Sequence, residues 1–366
     1  MNRHLNTLLR PLALLSLAVA LVGCPADTGT DEAPASGDAP VFSLAWSEYP
    51  SWSTFGVADE LKLIDGAEGK MGSIEIKWNV DIVLHEADYD SCITMFGSLK
   101  TDAACLTNMD SLSPGMGRPA VAILPTSTSN GADALIVSNA IADIKALKGK
   151  KVRGLAKSVS EYTFVRNLEL LGESEADYTF TNMDPGAAAL AMQQKMDGVE
   201  AIVVWNPFVM ETLAKRDDTK VLFDSSTIPE EIIDMVVMGQ DSLDKPGGDR
   251  FAAAIIETFY AVNIRLNDAK TRDDTLVALG EKFSNLKVDA MKKVCEQTVF
   301  YKNAAEGTAL FTGGKLKAIM PKVIKFCVDH GIVESEPKVG YGAKADAPDT
   351  HLRFDPTYMK MVEDKQ

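Results

Sequence analysis

The 366-residue chain is poor in the side chains that most chemistry needs. It has four histidines and five cysteines. Only His85 and His330 fall within residues 41–330, and neither sits in a Ser/His/Asp or Cys/His context that would activate a nucleophile. No CxxC pair or Cys/His cluster is spaced for zinc. No glycine-rich loop ends in Gly-Lys-Ser/Thr, so the chain has no cradle for the phosphates of ATP. No extended block of Lys and Arg occurs, and the formal charge is −15, which argues against a nucleic-acid partner. No apolar run after residue 22 is long enough to cross a membrane. These absences predict a binding protein rather than an enzyme, with no cofactor and no metal.

What is present begins with an export signal. Arg3 and Arg10 give a positive end, and Pro11–Val22 is an apolar run too short for an ordinary span. It closes on Leu21-Val22-Gly23-Cys24, which looks like the lipobox of a bacterial lipoprotein. Residues 1–23 are therefore read as a signal peptide and Cys24 as the lipidated first residue. Cleavage removes Arg3 and Arg10 and takes the charge from −15 to −17. Residues 24–40 hold no large apolar side chain and read as a disordered tether.

The rest of the chain, within a whole that is 46% hydrophobic and 24% charged, is long enough for two ordinary lobes. An exported compartment permits disulfides among Cys92, Cys105, Cys295 and Cys327. Three pairings exist, of which Cys92–Cys105 with Cys295–Cys327 closes the shortest loops; buried free thiols are the alternative.

Hydrophobic periodicity gives alternating strands and helices, hence an α/β fold. Val41–Trp46 reads as a strand leading into the polar and aromatic loop 47–52. Phe55–Leu63 reads as a helix, and Ile74–Val83 as a strand with Ile74, Ile76 and Trp78 on one face. A helix over Tyr89–Leu99 and strands at Ala104–Thr107 and Val121–Leu124 follow. A second βαβ run starts at Ala134–Val137. In it, Ser158 and Glu161 have capping-box spacing, and Asp184-Pro185 opens a helix. Ala201–Val204 is an apolar β-branched run, with Asn206 as N-cap and Pro207 as first helical residue. Trp205 thereby falls at the carboxyl end of a strand, where open α/β sheets bind ligands. Ile232–Met238 reads as a buried strand returning to the first lobe. Beyond it the chain turns helical, ending in four segments of which Ala309–His330 is the last. Residues 331–366 form a polar tail whose Tyr341, Phe354 and Tyr358 can dock on the body.

Four segments, taken in order, resemble the nitrate/sulfonate/taurine-type substrate-binding proteins of ABC importers. They are Ala104-Cys105-Leu106-Thr107-Asn108-Met109-Asp110, Leu147-Lys148-Gly149-Lys150-Lys151-Val152, Ser158-Val159-Ser160-Glu161-Tyr162 and Trp205-Asn206-Pro207. Asn130-Gly131, together with Thr107–Asp110 and Trp205–Pro207, is similar to a branch associated with urea-carboxylase gene regions. The resemblance implies a type II periplasmic-binding-protein fold: two α/β lobes, two crossover strands and a ligand cleft between them. Lobe one would be 41–130 plus 235–330, and lobe two 131–234. It also implies a monomer that delivers a small-molecule ligand to a permease and an ATPase on separate chains, from the periplasmic side of a bacterial membrane. A ligand-sensing module for a membrane sensor is the alternative; a thiamine-pyrimidine synthesis enzyme of the same fold lacks support, since its cysteine-rich run is absent.

Strand ends and helix starts then nominate the ligand contacts. Lobe one offers Trp46, Glu48, Tyr49 and Trp52, then Asn108 and Asp110. The first crossover offers Asn130 and Asp133. Lobe two offers Ser158, Ser160, Tyr162, Trp205 and Asn206. Ser158 and Asp110 can equally be helix caps, and Trp46 or Trp52 core. His85 with Glu86 and Asp88 reads as a surface turn rather than a metal site. Helix starts at Ser158 and Asn206 favour an anion or carbonyl oxygen, whereas Glu48, Asp110 and Asp133 favour a cation or an N–H donor. With no Lys or Arg among them, a urea-, guanidine- or amide-like solute fits first, a taurine-like zwitterion second, and nitrate or a sulfonate least.

The lipobox has a direct test. Cys24→Ser is expected to release the protein from membranes or leave unprocessed precursor. Membrane-bound, processed Cys24→Ser protein contradicts the reading.

Overall fold

A computed structural model describes residues 39–364. The expected signal peptide, Cys24 and all but the last two tether residues lie outside them. Pro40 already belongs to the body, since its carbonyl accepts the Asp81 N–H at 3.0 Å.

Thirteen strands among the described residues form two sheets. The chain lays down β1 (Val41–Trp46), β2 (Asp81–Glu86), β3 (Ala103–Thr107) and β4 (Ala120–Ser129) in the first. It crosses to build the second from β5 (Asp133–Ser138), β6 (Lys151–Gly154), β7 (Thr179–Asn182), β8 (Ala201–Trp205) and β9 (Thr219–Asp224). It then returns with β10 (Ile233–Gly239), adding β11 (Thr298–Phe300), β12 (Val339–Tyr341) and β13 (Leu352–Phe354). The first sheet runs β12-β13-β4-β10-β3-β1-β2, with β11 also on β4, and the second runs β7-β6-β8-β5-β9. This is the two-lobed α/β architecture expected, except that the tail is no mere appendage: β13 pairs in parallel with β4, Leu352 opposite Ala120.

Most neighbouring strands are parallel, so the loops after β1, β3 and β8 leave at carboxyl edges. The strands that follow the crossovers run the other way. β10 is antiparallel to β3 and β4, and β5 is antiparallel to β8 and β9. Their first residues therefore lie beside the last residues of their neighbours. Asp234 stands opposite Thr107, and Asp133 opposite Trp205.

Several local expectations change. Ile74–Val83 is not one strand. Ser73–Trp78 is a helix, in which Ile74 and Trp78 bury one face at i,i+4 spacing while Ile76 is 49% exposed. The apparent alternation came from three residues of a helical turn. Glu75 fixes it: the buried carboxylate accepts the Gly72 and Asp65 N–H groups on Oε2 and the Ile82 N–H on Oε1, each at 2.6 Å. Burial raises its pKa to about 7, although these bonds pull the other way. The expected helix Ala309–His330 is two, Ala304–Thr312 and Gly314–Asp329, separated by Gly313. Asn206 does not cap: the helix starts at Phe208, and the Asn206–Pro207 peptide is cis.

The disulfides are also corrected. Cys92, Cys105, Cys295 and Cys327 are all free thiols. Cys92, Cys105 and Cys327 are fully enclosed in the apolar core, where they behave as small hydrophobic side chains. Burial pushes the Cys92 and Cys327 thiols up to about 12, which keeps them protonated and unreactive.

Glu75→Gln replaces one acceptor oxygen with a donor facing a buried N–H. It is expected to cost about 1–3 kcal/mol, measured by denaturant unfolding. An unchanged midpoint contradicts the assigned role.

Candidate functional site

The carboxyl edges of both sheets face one small chamber of ≈ 20 Å³, about the space of a single water in this closed arrangement. Its wall is aromatic and continuous across the lobes. In the loop after β1, Tyr49 and Trp52 have ring centroids 4.9 Å apart. Trp52 stacks on Tyr89 at 5.4 Å and 16°, and Tyr89 meets Trp205 of the second sheet edge-on at 5.9 Å. Tyr89 is held from behind: its hydroxyl donates to Asp110 at 2.8 Å and accepts the Thr107 N–H at 3.1 Å. Two carboxylates, Asp133 and Asp234, complete the lining with Ser47, Thr107, Val159 and Ile232.

Both carboxylates are out of water, each about 2% exposed. Asp133 accepts the Ser129 hydroxyl at 2.5 Å, and Ser129 also bonds to Ser225 at 2.7 Å. Ser225 in turn accepts the Gly131 N–H at 2.8 Å, so this knot ties the outgoing crossover to the returning one. Gly131 has φ +102°, a conformation that favours glycine. Asp234 accepts the Ser127 hydroxyl at 2.5 Å. Burial pushes Asp133 to about 7, with the charges of Asp110 and Asp224 adding to it and the Ser129 bond subtracting. Burial raises Asp234 well above the usual carboxylate range, the Ser127 bond opposes this, and the Asp133 charge adds to it. Asp110 rises to about 6 for the same first reason, against the pull of Tyr89 and Thr107. The Tyr49 hydroxyl faces Asp234 and Thr298, and the Trp52 indole N–H is buried and unpartnered.

An outer chamber of ≈ 280 Å³ opens beside the first and shares Ser47, Tyr89 and Trp205 with it. Glu48, Glu86, Asp88, Asp90 and Asp184 line it. Asp88 and Asp184 cap helices, accepting the Ser91 and Ala187 N–H groups, and Glu48 accepts the Ser284 hydroxyl at 2.6 Å. Among the described residues, no Lys, Arg or His lines either chamber.

Five of the thirteen nominated contacts reach these chambers: Tyr49, Trp52, Asp133 and Trp205 the inner, Glu48 and Trp205 the outer. The others do different work. Trp46 is buried against Gly56. Asn108 ties β3 to β10, accepting the Ile233 N–H and donating to the Glu231 carbonyl. Asp110 stands behind Tyr89. Asn130 is exposed, and its N–H goes to the Gln297 carbonyl. Ser158 accepts the Ser160 N–H and donates to Leu155, a cap only. Ser160 is buried with its hydroxyl unpartnered, outside the lining. Asn206 donates to the Gln297 side chain at 2.8 Å. Tyr162 donates to Glu231 at 2.7 Å. Tyr89 and Asp234 were missed. Asp234 had a readable signal, the one carboxylate in the apolar run Ile232–Met238.

Glu231, just before β10, is gripped from two sides. Arg166 bonds to both its oxygens at 2.8 and 3.0 Å, and Lys322 approaches at 3.3 Å. Burial raises its pKa, but the Arg166 and Tyr162 bonds outweigh that and hold it near 2. Among the described residues, one trio has potential metal-ligating atoms within 4.8 Å of one another: Glu161, Glu175 and His330. It lies outside both chambers.

No protein-family model matches the chain, and no curated protein sequence does. Solved structures do. The periplasmic aliphatic sulphonate binding protein SsuA from Escherichia coli is 17% identical, with TM-score 0.62 over 81% of this chain and 94% of that one. A putative sulfonate ABC transporter's periplasmic sulfonate-binding protein from Methylobacillus flagellatus is 15% identical, with TM-score 0.65 over 90% and 95%. A Candida albicans gene product with the generic periplasmic-binding-protein fold is 14% identical, with TM-score 0.60 over 81% and 92%. The chain has the periplasmic-binding-protein fold.

The buried acids set a pH dependence. Because Asp110, Asp133, Asp234 and Glu75 have folded-state pKa values above their unfolded ones, the native state binds more protons between the two values. Stability therefore falls as pH rises through that window. His330, raised by Glu175 against the lowering effect of burial, acts in the same direction. Glu231 acts oppositely but below pH ~4.5, its unfolded pKa. The melting temperature of solute-free protein is expected to fall between pH 5 and pH 8, roughly the span of these titrations, and Asp133→Asn to flatten the slope. A rise across that range contradicts the assignment.

Proposed function

We propose that this is a solute-binding protein of an ABC importer, capturing a small polar nitrogen-containing compound between its lobes. The observation that carries the reading is the chamber itself. Tyr49, Trp52 and Tyr89 come from elements of the first lobe, and Trp205 and Val159 from the second. A solute touching both stabilises the closed arrangement over any open one, which is the basis of hinge closure. The sulfonate-binding proteins of the same fold support the transport role. In this reading a permease and an ATPase are separate chains, the protein is a monomer, and the lipid on Cys24 is its membrane anchor on the periplasmic side.

Asp133 sits in both the chamber and the Ser129–Ser225 knot at the crossovers, so a solute bonded to it also touches the pivot. Lobe one takes residues 41–130 with the returning strand and the helices after it, and lobe two the 131–234 segment.

A thermal-shift panel of small nitrogen and sulfur compounds identifies binders, since a ligand that binds only folded protein raises its melting temperature. A binder is expected to shrink the radius of gyration in small-angle scattering and to change tryptophan fluorescence. Trp205→Ala is expected to weaken it by roughly thirty-fold, as for a central aromatic anchor. Unchanged scattering with unaltered Trp205→Ala affinity overturns interlobe capture.

A further inference from the structure

The sign of the solute's charge follows from what surrounds the chamber, and this inference rests on the solute-binding reading above. Asp133 and Asp234 enter from adjacent ends of β5 and β10; Asp133 accepts the Ser129 hydroxyl, and Asp234 accepts the Ser127 hydroxyl with the Tyr49 hydroxyl as a further donor beside it. Around Asp133 stand Ser129 from β4, Ser225 and Asp224 from the returning crossover, and Asp110 from beyond β3. Around Asp234 stand Ser127 from β4, Tyr49 from the first loop, and the charges of Asp133 and Asp110. No basic side chain answers them. Burial without a counter-ion is costly, and two such groups at one site repel each other.

The usual attraction for an anion is already taken up. The helix Val159–Leu170 begins at the chamber, but its Ser160 N–H is capped by Ser158 and its Val159 N–H faces Asp110. An anion placed here would meet carboxylates rather than free N–H groups. The outer chamber repeats the sign, with five acidic residues and no base, a field that draws cations inward.

The wall fits a cation as well. Trp52 and Tyr89 stack in near-parallel planes and Trp205 meets Tyr89 edge-on. Indole and phenol faces attract positive charge, most strongly when desolvated.

We propose that the solute is a small organic cation, an ammonium or amidinium compound, seated with its charge against Asp133 and Asp234 and its body against Trp52, Tyr89 and Trp205. Nitrate and alkylsulfonates are excluded by the same carboxylates. A neutral solute such as urea leaves the two acids without a counter-charge.

The test uses calorimetry and thermal shift on the full chain at pH 6 and pH 8 and equal ionic strength. The probes are tetramethylammonium, choline and guanidinium chlorides at millimolar concentration, sodium methanesulfonate and nitrate, and urea. At least one cation is expected to bind, more tightly at pH 8 and with release of protons, while the anions do not. Asp133→Asn and Asp234→Asn are expected to weaken it by about ten- to hundred-fold, the loss of a hydrogen bond to a charged group, while raising the melting temperature of solute-free protein. That rise shows the variants fold. Binding of methanesulfonate or nitrate with no response to the cations overturns the charge inference and leaves solute capture standing, as does binding of urea alone. Cation binding that both Asn variants leave unchanged overturns the assigned contacts. No response to any probe overturns the charge inference; unchanged scattering with the binders of the wider panel overturns interlobe capture itself.

Discussion

Two carboxylates held out of water with no base opposite them are the constraint on which the rest of this architecture turns. Asp133 gains a hydroxyl bond from Ser129, and Asp234 hydroxyl bonds from Ser127 and Tyr49. That is far less than the several N–H groups or the guanidinium that a buried carboxylate needs to stay ionised at little cost. Glu231 shows the contrast within the same molecule: Arg166, Tyr162 and Lys322 hold it, and its pKa falls.

Backbone direction explains how those two side chains come together. A sheet of parallel strands gathers the loops after its strands at one end, while side chains within the strands alternate between its two faces. Reversing one strand brings its opening residues, not its closing ones, to the same edge. Both lobes contain such a reversed strand, and in both the opening residues include an aspartate, registered against Thr107 in one sheet and Trp205 in the other. The hydroxyl-rich end of β4, from Thr126 to Ser129, supplies the donors beside them.

The fold class was legible because several strands are apolar runs, such as Ala201–Trp205 and Ile233–Gly239, and several helices open on a side-chain cap, as at Asp88, Ser158, Asp184 and Asn303. The tight helix Ser73–Trp78 was not, because Ile74, Ile76 and Trp78 satisfy strand alternation, and only the long-range grip of Glu75 on Asp65 and Ile82 decides the matter. The same limit applies to the chamber. Trp205, Asp133, Tyr49 and Trp52 were legible as groups at strand ends. Asn108, Tyr162 and Asn206 had the right types at the right places, but their polar atoms are consumed by neighbours distant in sequence, and spacing along a chain does not record that. Asp234 lay in a strand whose reversal only the sheet reveals, and Tyr89 depends on Asp110 behind it.

The position of β13 bears on how the molecule is assembled. β4 is flanked by β10, more than a hundred residues later, and by β13, whose Phe354 is fully buried beside Tyr341 and Phe311. The second sheet, by contrast, is complete within Asp133–Asp224. A chain made from its N-terminus can therefore finish its middle portion while its first-made strands still wait for partners synthesised last. Non-local pairing of this kind slows folding, and the unpaired side of β4 is the edge left open in the interval.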